Sequence, residues 1–288
     1  MVFSRVKNNS MKIISILLTV HNRRETTIKC LSIISKLSLP DNCQLKIYLT
    51  DDGCTDGTSE EVKNKFPNVI IIKGDGNLYW NRGMIAAWKR AAKDDCDFYL
   101  WLNDDTMVYD DLFTSIYGLS SEKQHKSIVV GACEFNGRYT YGGRNFDGTV
   151  AVPKLGCAAK VRNFNGNIVW IPKYVFEKVG YLDSYYRHSW GDVDYGLRAI
   201  KLGIESYQVD HYLGSCSRHE TFSKWCNPDI PLIERLKALN KPTGLAPREV
   251  FHYEKKHIGF VTAIFHFITV YIRCFFPNLW IVIRKAKI

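Results

Sequence analysis

The chain of 288 residues predicts an α/β protein whose mixed, mostly parallel sheet is flanked by helices. Two observations carry that expectation. Apolar runs alternate with helix-spaced stretches through the first 111 residues, and the first run lacks the polar alternation of a half-exposed strand.

Lys12–Thr19 is a continuous Ile- and Leu-rich run, as a strand covered on both faces requires. It is short and meets His21-Asn22-Arg23-Arg24 with no small-residue cleavage site, so a buried strand is expected rather than a signal peptide. From Glu25 to Leu37 the residues Ile28, Leu31 and Ile34 have helical spacing, stopped by Leu39-Pro40-Asp41-Asn42. Gln44–Thr50 is a second strand, broken by Asp51-Asp52-Gly53. Thr58 to Lys65 reads as a helix opened by a Thr58/Glu61 capping box. Asn68–Ile72, Trp80 to Lys93 and Phe98–Leu102 continue the alternation, closed by Asn103-Asp104-Asp105. Ligands of such sheets gather beyond the carboxyl ends of the strands. The clusters after the first, second and fourth strands therefore place the site.

After Asp111 the pattern changes. Residues 128–171 predict short strands and loops, Lys173–Val179 a helix, and Asp192 to Leu202 another. Residues 227–250 contain four prolines and read as a mobile connection with a short helix near Leu232–Leu239. Ile258 to Ile272 is apolar, and Cys274-Phe275-Phe276-Pro277 and Leu279–Ile283 precede Arg284-Lys285-Ala286-Lys287. A bilayer span needs about 20 apolar residues, so a helix lying in the membrane interface is expected, with a helix packed on the core as the alternative.

Composition excludes several classes. Hydrophobic residues at 46% and charged residues at 24% are ordinary globular usage, not disorder or a collagen-like repeat. Nine cysteines, an odd number with no C-x-x-C pair, indicate neither a disulfide framework nor a zinc site, and fit a reducing cytosol. The net charge is +10, and residues 230–288 hold ten basic against three acidic side chains. An anionic membrane surface fits this tail. The basic residues are not arranged as a motif that reads nucleic acid.

Carboxylates clustered at a strand end, as in Asn103-Asp104-Asp105, repel one another unless a cation intervenes, and oxygen ligands favour Mg²⁺ or Mn²⁺. A turn that caps the next helix is the plainer reading. Asp51-Asp52-Gly53 fits a base- or ribose-binding carboxylate, or simply a tight turn. Ser189-Trp190-Gly191-Asp192-Val193-Asp194 opens a helix. It can be a cap, or a pocket in which an aromatic face supports a sugar while an Asp removes a proton.

In order along residues 12–218, seven segments resemble family 2 glycosyltransferases of the GT-A fold, in the group containing rhamnosyl- and galactosyltransferases of bacterial surface polysaccharides. They are Leu18–Arg23, Thr50–Thr58, Gly76–Gly83, Leu102–Thr106, Val179–Asp183, Gly191–Asp194 and Val209–Ser215. The resemblance implies inverting, metal-dependent transfer from a UDP- or dTDP-sugar to a glycan or polyprenyl-diphosphate-linked acceptor. It implies a nucleotide-sugar site at Thr19, His21, Arg23, Asp52, Asn77, Trp80, Asn81, Asn103 and Asp104. Mn²⁺ or Mg²⁺ would be held by Asp105 and His211, Asp192 would be the catalytic base, and Trp190 and Asp194 would contact the acceptor. Three positions depart from the family pattern: Asn103 replaces the first Asp of the DXD-type motif, Gly191 stands where many relatives have Glu, and Trp80 where many have a small residue or Arg. A silent sugar-nucleotide-binding protein and a nucleotidyltransferase are the alternatives. The expected organisation is a catalytic domain over 1–226, split into a nucleotide-sugar half (about 12–111) and an acceptor half (about 112–226). Residues 227–288 would form a Pro-containing linker and amphipathic helices that hold the enzyme peripherally on the cytoplasmic face of the cell membrane.

Overall fold

The computed structural model describes residues 11–218 and 223–279. The apolar runs form β1 (Lys12–Val20), β2 (Cys43–Asp51), β3 (Val69–Lys73) and β4 (Phe98–Leu102), and the helix-spaced stretches form α1 (Arg24–Ile34), α2 (Thr58–Lys65) and α3 (Tyr79–Ala92). β1 pairs in parallel with β2 and β4, and β2 with β3. All three crossovers are helical, as parallel strands require. The four strands thus end at one edge, where the predicted polar clusters lie together.

The second half interrupts this order. β5 (Met107–Val108), α4 (Leu112–Glu122), β6 (Ile128–Phe135), β7 (Arg138–Tyr141), β8 (Gly143–Arg144), β9 (Ala159–Val161) and β10 (Asn163–Phe164) lead to β11 (Ile168–Pro172). α5 (Lys173–Val179), α6 (Gly191–Lys201) and β12 (Ser206–Ser215) follow. β11 runs antiparallel between β4 and β6, giving the order β3-β2-β1-β4-β11-β6-β12-β5; β7 pairs with β6, β9 with β12, and β8 with β10 in a separate ribbon. The mixed, mostly parallel sheet of the GT-A expectation is present.

Both faces of the sheet are covered. Ile14, Ile16 and Leu18 of β1 pack with Leu31 of α1 and Phe113 and Ile116 of α4. On the other face Trp88 of α3 centres an aromatic cluster with Tyr99, Trp101, Phe176, Tyr181 and Tyr195, at ring centroids 5.1–5.7 Å from its own. At α2 no capping box forms. Its N-cap is Gly57, and the Asp56 carboxylate accepts the Thr58 N–H at 3.1 Å, while Glu61 turns to Lys65.

The C-terminal region is more ordered than a mobile linker. α7 (Leu232–Asn240) sits where a short helix was expected, but α8 (Pro247–His257) follows it and α9 (Phe260–Phe275) folds back along α8. α8 is bound to the segment before α6. Glu249 accepts from Arg187 Nε at 2.7 Å, and Lys256 reaches Asp183 at 3.0 Å. Asp194, with no solvent exposure, is met by Lys256 at 2.7 Å, His257 at 2.8 Å and Arg198 of its own helix at 2.8 Å. No helix among the described residues is long and apolar enough to cross a membrane. The tail Trp280–Ile288, with its four-residue basic cluster, lies outside the described residues.

This geometry corrects one expected site residue. Asp194 does not reach the acceptor side; its carboxylate is consumed by α6 and α8. Burial alone would raise its carboxyl, but the bonds from His257, Lys256 and Arg198 hold it well below the ordinary carboxylate range. Breaking a buried ion pair from one side costs about 3–5 kcal/mol. Asp194→Asn is therefore expected to lower unfolding free energy by about that amount at neutral pH. A depressed carboxylate stabilises above the unfolded-state value and loses this as pH falls through its folded value, so the gap should narrow below about pH 4. Urea denaturation of parent and variant at pH 7 and at acid pH measures it; equal stabilities at pH 7 would refute the assignment.

Candidate active site

Two adjoining cavities open at the carboxyl edge of the parallel strands. One, about 300 Å³, is lined by Thr19, His21, Arg23, Asp52, Tyr79 and Asp104, among others. The second, about 390 Å³, is lined by Asn103, Asp105, Ser189, Trp190, Asp192 and Cys216, among others. Trp80 and His188 border both.

The first cavity is built by backbone bonds to side chains of the β1 and β2 ends. The Asp52 carboxylate accepts N–H groups of Gly76, Leu78 and Tyr79 at 2.9, 3.1 and 2.8 Å, which folds the loop after β3 over the cavity. An ionised carboxylate has about four acceptor directions, so about one remains for a ligand. Its neighbour Asp51 is structural: Lys73 at 2.5 Å, the Ser59 hydroxyl and the Cys54 N–H at 2.7 Å surround it. Burial opposes its charge, yet these donors lower its carboxyl to about 2. His21 Nδ1 lies 2.6 Å from the Asp52 carbonyl, so one ring nitrogen is oriented and the ring stands at the exposed rim. The Thr19 hydroxyl lies 3.5 Å from the Thr50 carbonyl.

At the tip of β4 the two carboxylates converge on one guanidinium. Arg23 Nη1 donates to Asp105 at 2.7 Å and to Asp104 at 3.2 Å. Asp104 is 5% exposed and also accepts from the Thr27 hydroxyl. Burial pushes its carboxyl up to about 6, against the pull of Arg23 and with the like charge of Asp105 adding to it. Asn103 does something else: its Oδ1 accepts the Trp80 indole N–H at 2.7 Å. Two departures from the family pattern are thus one hydrogen bond. An Asp at 103 would place a third negative charge beside two others, whereas Asn supplies the acceptor without it. The ring is further fixed from behind by Gly166, where a Cβ would lie 2.4 Å from the indole.

The third departure has a similar cause. A Cβ at Gly191 would fall 1.8 Å from Asn81 Oδ1, so the residue preceding Asp192 has no room for a side chain. Asn81 is fully buried and its Nδ2 donates to the carbonyls of Asp183 and Tyr186 at 2.9 and 2.8 Å. It braces α3 against the 183–191 segment and does not line either cavity, which corrects its expected role as a sugar contact. Asn77 is also outside both: it is exposed and bonds to Asp75 within its own turn.

Asp192 borders the larger cavity at the start of α6. Its oxygens accept the N–H groups of Val193 at 2.8 Å and Gly166 at 2.9 Å. Burial raises its carboxyl above the ordinary value, and those two bonds pull the other way. Trp190, beside it, has a left-handed backbone (φ +73°) and stacks on Tyr253 of α8 at 4.7 Å.

His211 belongs elsewhere. Its ring nitrogens meet Asp210 at 2.6 Å and Asp111 at 2.7 Å, beside Ser115 at the start of α4. Burial disfavours its charged form, but the two carboxylates raise it above the ordinary value. It precedes Cys216 by five residues of extended chain, about 16 Å, and Cys216 is the residue whose Sγ lies 3.7 Å from Asp105. His211 is therefore removed from the metal set. Among the described residues no three His, Cys, Asp or Glu side chains are grouped to hold a metal. The chain's oxygen donors there are Asp104 and Asp105, and Mg²⁺-type sites are commonly completed by substrate phosphates and water.

Sequence reasoning did not single out His188, Cys216 or Thr243 as lining residues. His188 had a usable signal, since it immediately precedes Ser189-Trp190; Thr243 arrives from the proline-rich stretch and had none.

Comparisons with known proteins bear on the fold and the family. No curated protein matches the chain. Solved structures with similar folds include S. aureus TarS, 14% identical, with a TM-score of 0.57, matched over 90% of this chain and 49% of that one. TarS 1-349 in complex with UDP-GlcNAc is 15% identical with a TM-score of 0.56 over 89% of this chain and 73% of that one. TarS 1-349 in complex with UDP gives 14% and 0.55 over 85% and 73%. The chain thus spans about half the length of the full TarS structure. The family model for glycosyl transferase family 2 matches residues 15–167, more than half of the sequence, and on that match the chain belongs to this family of glycosyltransferases.

Proposed function

We propose that the chain transfers a sugar, with inversion, from a nucleotide diphosphate donor to a hydroxyl of a glycan acceptor used in cell-surface polysaccharide synthesis. The observation that carries this reading is the pairing of the two cavities across Trp80 and His188, with Asp192 and Trp190 lining the larger one. The nucleotide would occupy the chamber of Thr19, His21 and Asp52. A uridine diphosphate donor is favoured over dTDP by the bound UDP-GlcNAc and UDP of the TarS structures.

Asp192 would accept the proton of the attacking acceptor hydroxyl, and Trp190 would offer its face to the acceptor sugar. General bases of this kind contribute about 10²–10⁴-fold. Asp105, with Asp104 behind it, would hold Mn²⁺ or Mg²⁺ together with donor phosphate oxygens. When bound, that ion supplies charge stabilisation for the departing nucleoside diphosphate. Arg23, now spanning both carboxylates, would give up Asp105 and turn to the diphosphate.

Asp192→Asn should lose about 10²-fold or more in turnover while UDP binding, read by thermal shift with Mn²⁺, is unchanged. The acid limb of kcat/KM in the parent should lie above the ordinary carboxylate value of about 4, because only the ionised form of a raised Asp192 accepts a proton. Near-normal transfer by the variant would sink the base assignment. Absence of any UDP stabilisation with or without Mn²⁺ would sink the nucleotide site.

The acceptor is proposed to be lipid-linked, with the chain held peripherally on the cytoplasmic face of an anionic membrane. What supports this is α9: Ala263, Val270 and Cys274 face inward, while Val261, Ile264, Phe265, Ile268, Ile272 and Phe275 stay exposed along one stripe. The excess of basic residues after position 229 complements such a surface. Phe265→Ser with Ile268→Ser should abolish co-sedimentation with phosphatidylglycerol vesicles without lowering the melting temperature. Undiminished co-sedimentation would count against the docking.

A further inference from the structure

We infer that Tyr253, on the C-terminal helix α8, is a positioning residue for the acceptor half of the reaction: it holds Trp190, and through it Asp192, in their working positions. The inference rests on the reading of Asp192 and Trp190 given above. It moves a functional residue into the segment that sequence reasoning assigned to membrane association alone.

Trp190 is the N-cap of α6 and bridges the 183–190 segment to the helix that carries Asp192. Its backbone is left-handed, a conformation bulky L residues adopt only when their surroundings impose it. One constraint is local: its carbonyl accepts the Asp194 N–H at 2.8 Å, closing the first turn of α6. The other is the Tyr253 ring, 4.7 Å from the indole at an interplanar angle of 36°. Tyr253 does not line the cavity, so it reaches substrate only through Trp190.

Tyr253 can act as a stop because α8 itself is fixed on both sides of it. Upstream, Glu249 is 3% exposed and takes both the backbone N–H and the Nε of Arg187, at 3.2 and 2.7 Å. Downstream, Lys256 and His257 converge on Asp194. Between them His252 stacks on Tyr185 at 4.0 Å. Three independent attachments thus register α8 against residues 183–194, and the ring between them faces the one residue there with a strained backbone.

The ring carries the contact, and no described side chain hydrogen-bonds to the Tyr253 hydroxyl. Tyr253→Phe should therefore retain activity. Tyr253→Leu should raise acceptor KM or lower kcat by about tenfold, the scale of a lost aromatic pair. Donor KM and the UDP-induced thermal shift should stay as in the parent, which a general loss of structure would not allow. In a Trp190→Leu background, Tyr253→Leu should add no further loss. Should Tyr253→Leu not fold, Tyr253→Met keeps length and apolar contact without the ring and is read in the same assay. Unchanged acceptor kinetics in the ring-less variant, a Tyr253→Phe enzyme as impaired as the Leu variant, or full additivity with Trp190→Leu would each overturn the inference. Asp192→Asn measured alongside separates the two claims: if it remains active, the base assignment fails irrespective of Tyr253.

Discussion

A carboxylate that no water reaches must have its charge balanced from within the protein, and at Asp194 that requirement decides how α8 meets the start of α6. Arg198 comes from the same helix, but Lys256 and His257 come from α8, more than sixty residues later in the sequence. Burying the charge is costly, and the cost is offset only while those partners stay in place. Helix α8 is thereby bound to the same first turn of α6 that presents Asp192 and Trp190. The segment before α6 is held as well, because Asn81, Arg82 and Glu249 capture the backbone of residues 183–187.

The same economy of space accounts for the residues at the three positions that depart from the expected family pattern. Trp80 and Asn103 form a donor and acceptor pair at the boundary of the two cavities. Gly191 is small because Asn81 fills the volume a side chain would need. Both contacts run through α3, Trp80 to Asn103 and Asn81 to Gly191, so the helix after β3 acts as a template for both the β4 tip and the α6 start.

Much of the fold was legible because the central parallel strands β1 and β4 are buried on both faces and therefore read as nearly uninterrupted apolar runs. β4 and α5 were read to the residue, and the polar clusters do meet at one edge of the sheet. Side-chain direction was not legible. Asp192 and Asp194 are two residues apart, equal in charge and equally suited to a motif, yet a helix turns them about 200° from each other. One borders the cavity and the other faces α8. His211 sits beside an acidic residue on a strand aimed towards the site, but the strand carries Cys216 to Asp105 and leaves His211 on Asp111 and Asp210. α8 was missed because the prolines around it read as a linker, although Pro247 stands at its first turn, where a missing N–H costs nothing.

The charge arrangement at the β4 tip has a further consequence for order of binding. Asp104 and Asp105 share one guanidinium, and Asp104 is buried enough that its ionised form depends on that partner. A nucleoside diphosphate brings more negative charge to the same place. Arriving alone, it would compete with both carboxylates for Arg23 and leave them unbalanced. Arriving with a divalent cation, it would let the cation replace Arg23 at Asp105 and free the guanidinium for phosphate. Because the Arg23 side chain is 45% exposed, that exchange needs only a rotamer change at the rim and no movement of the sheet. On the proposed reading, charge balance at these three side chains would therefore favour entry of donor and cation together.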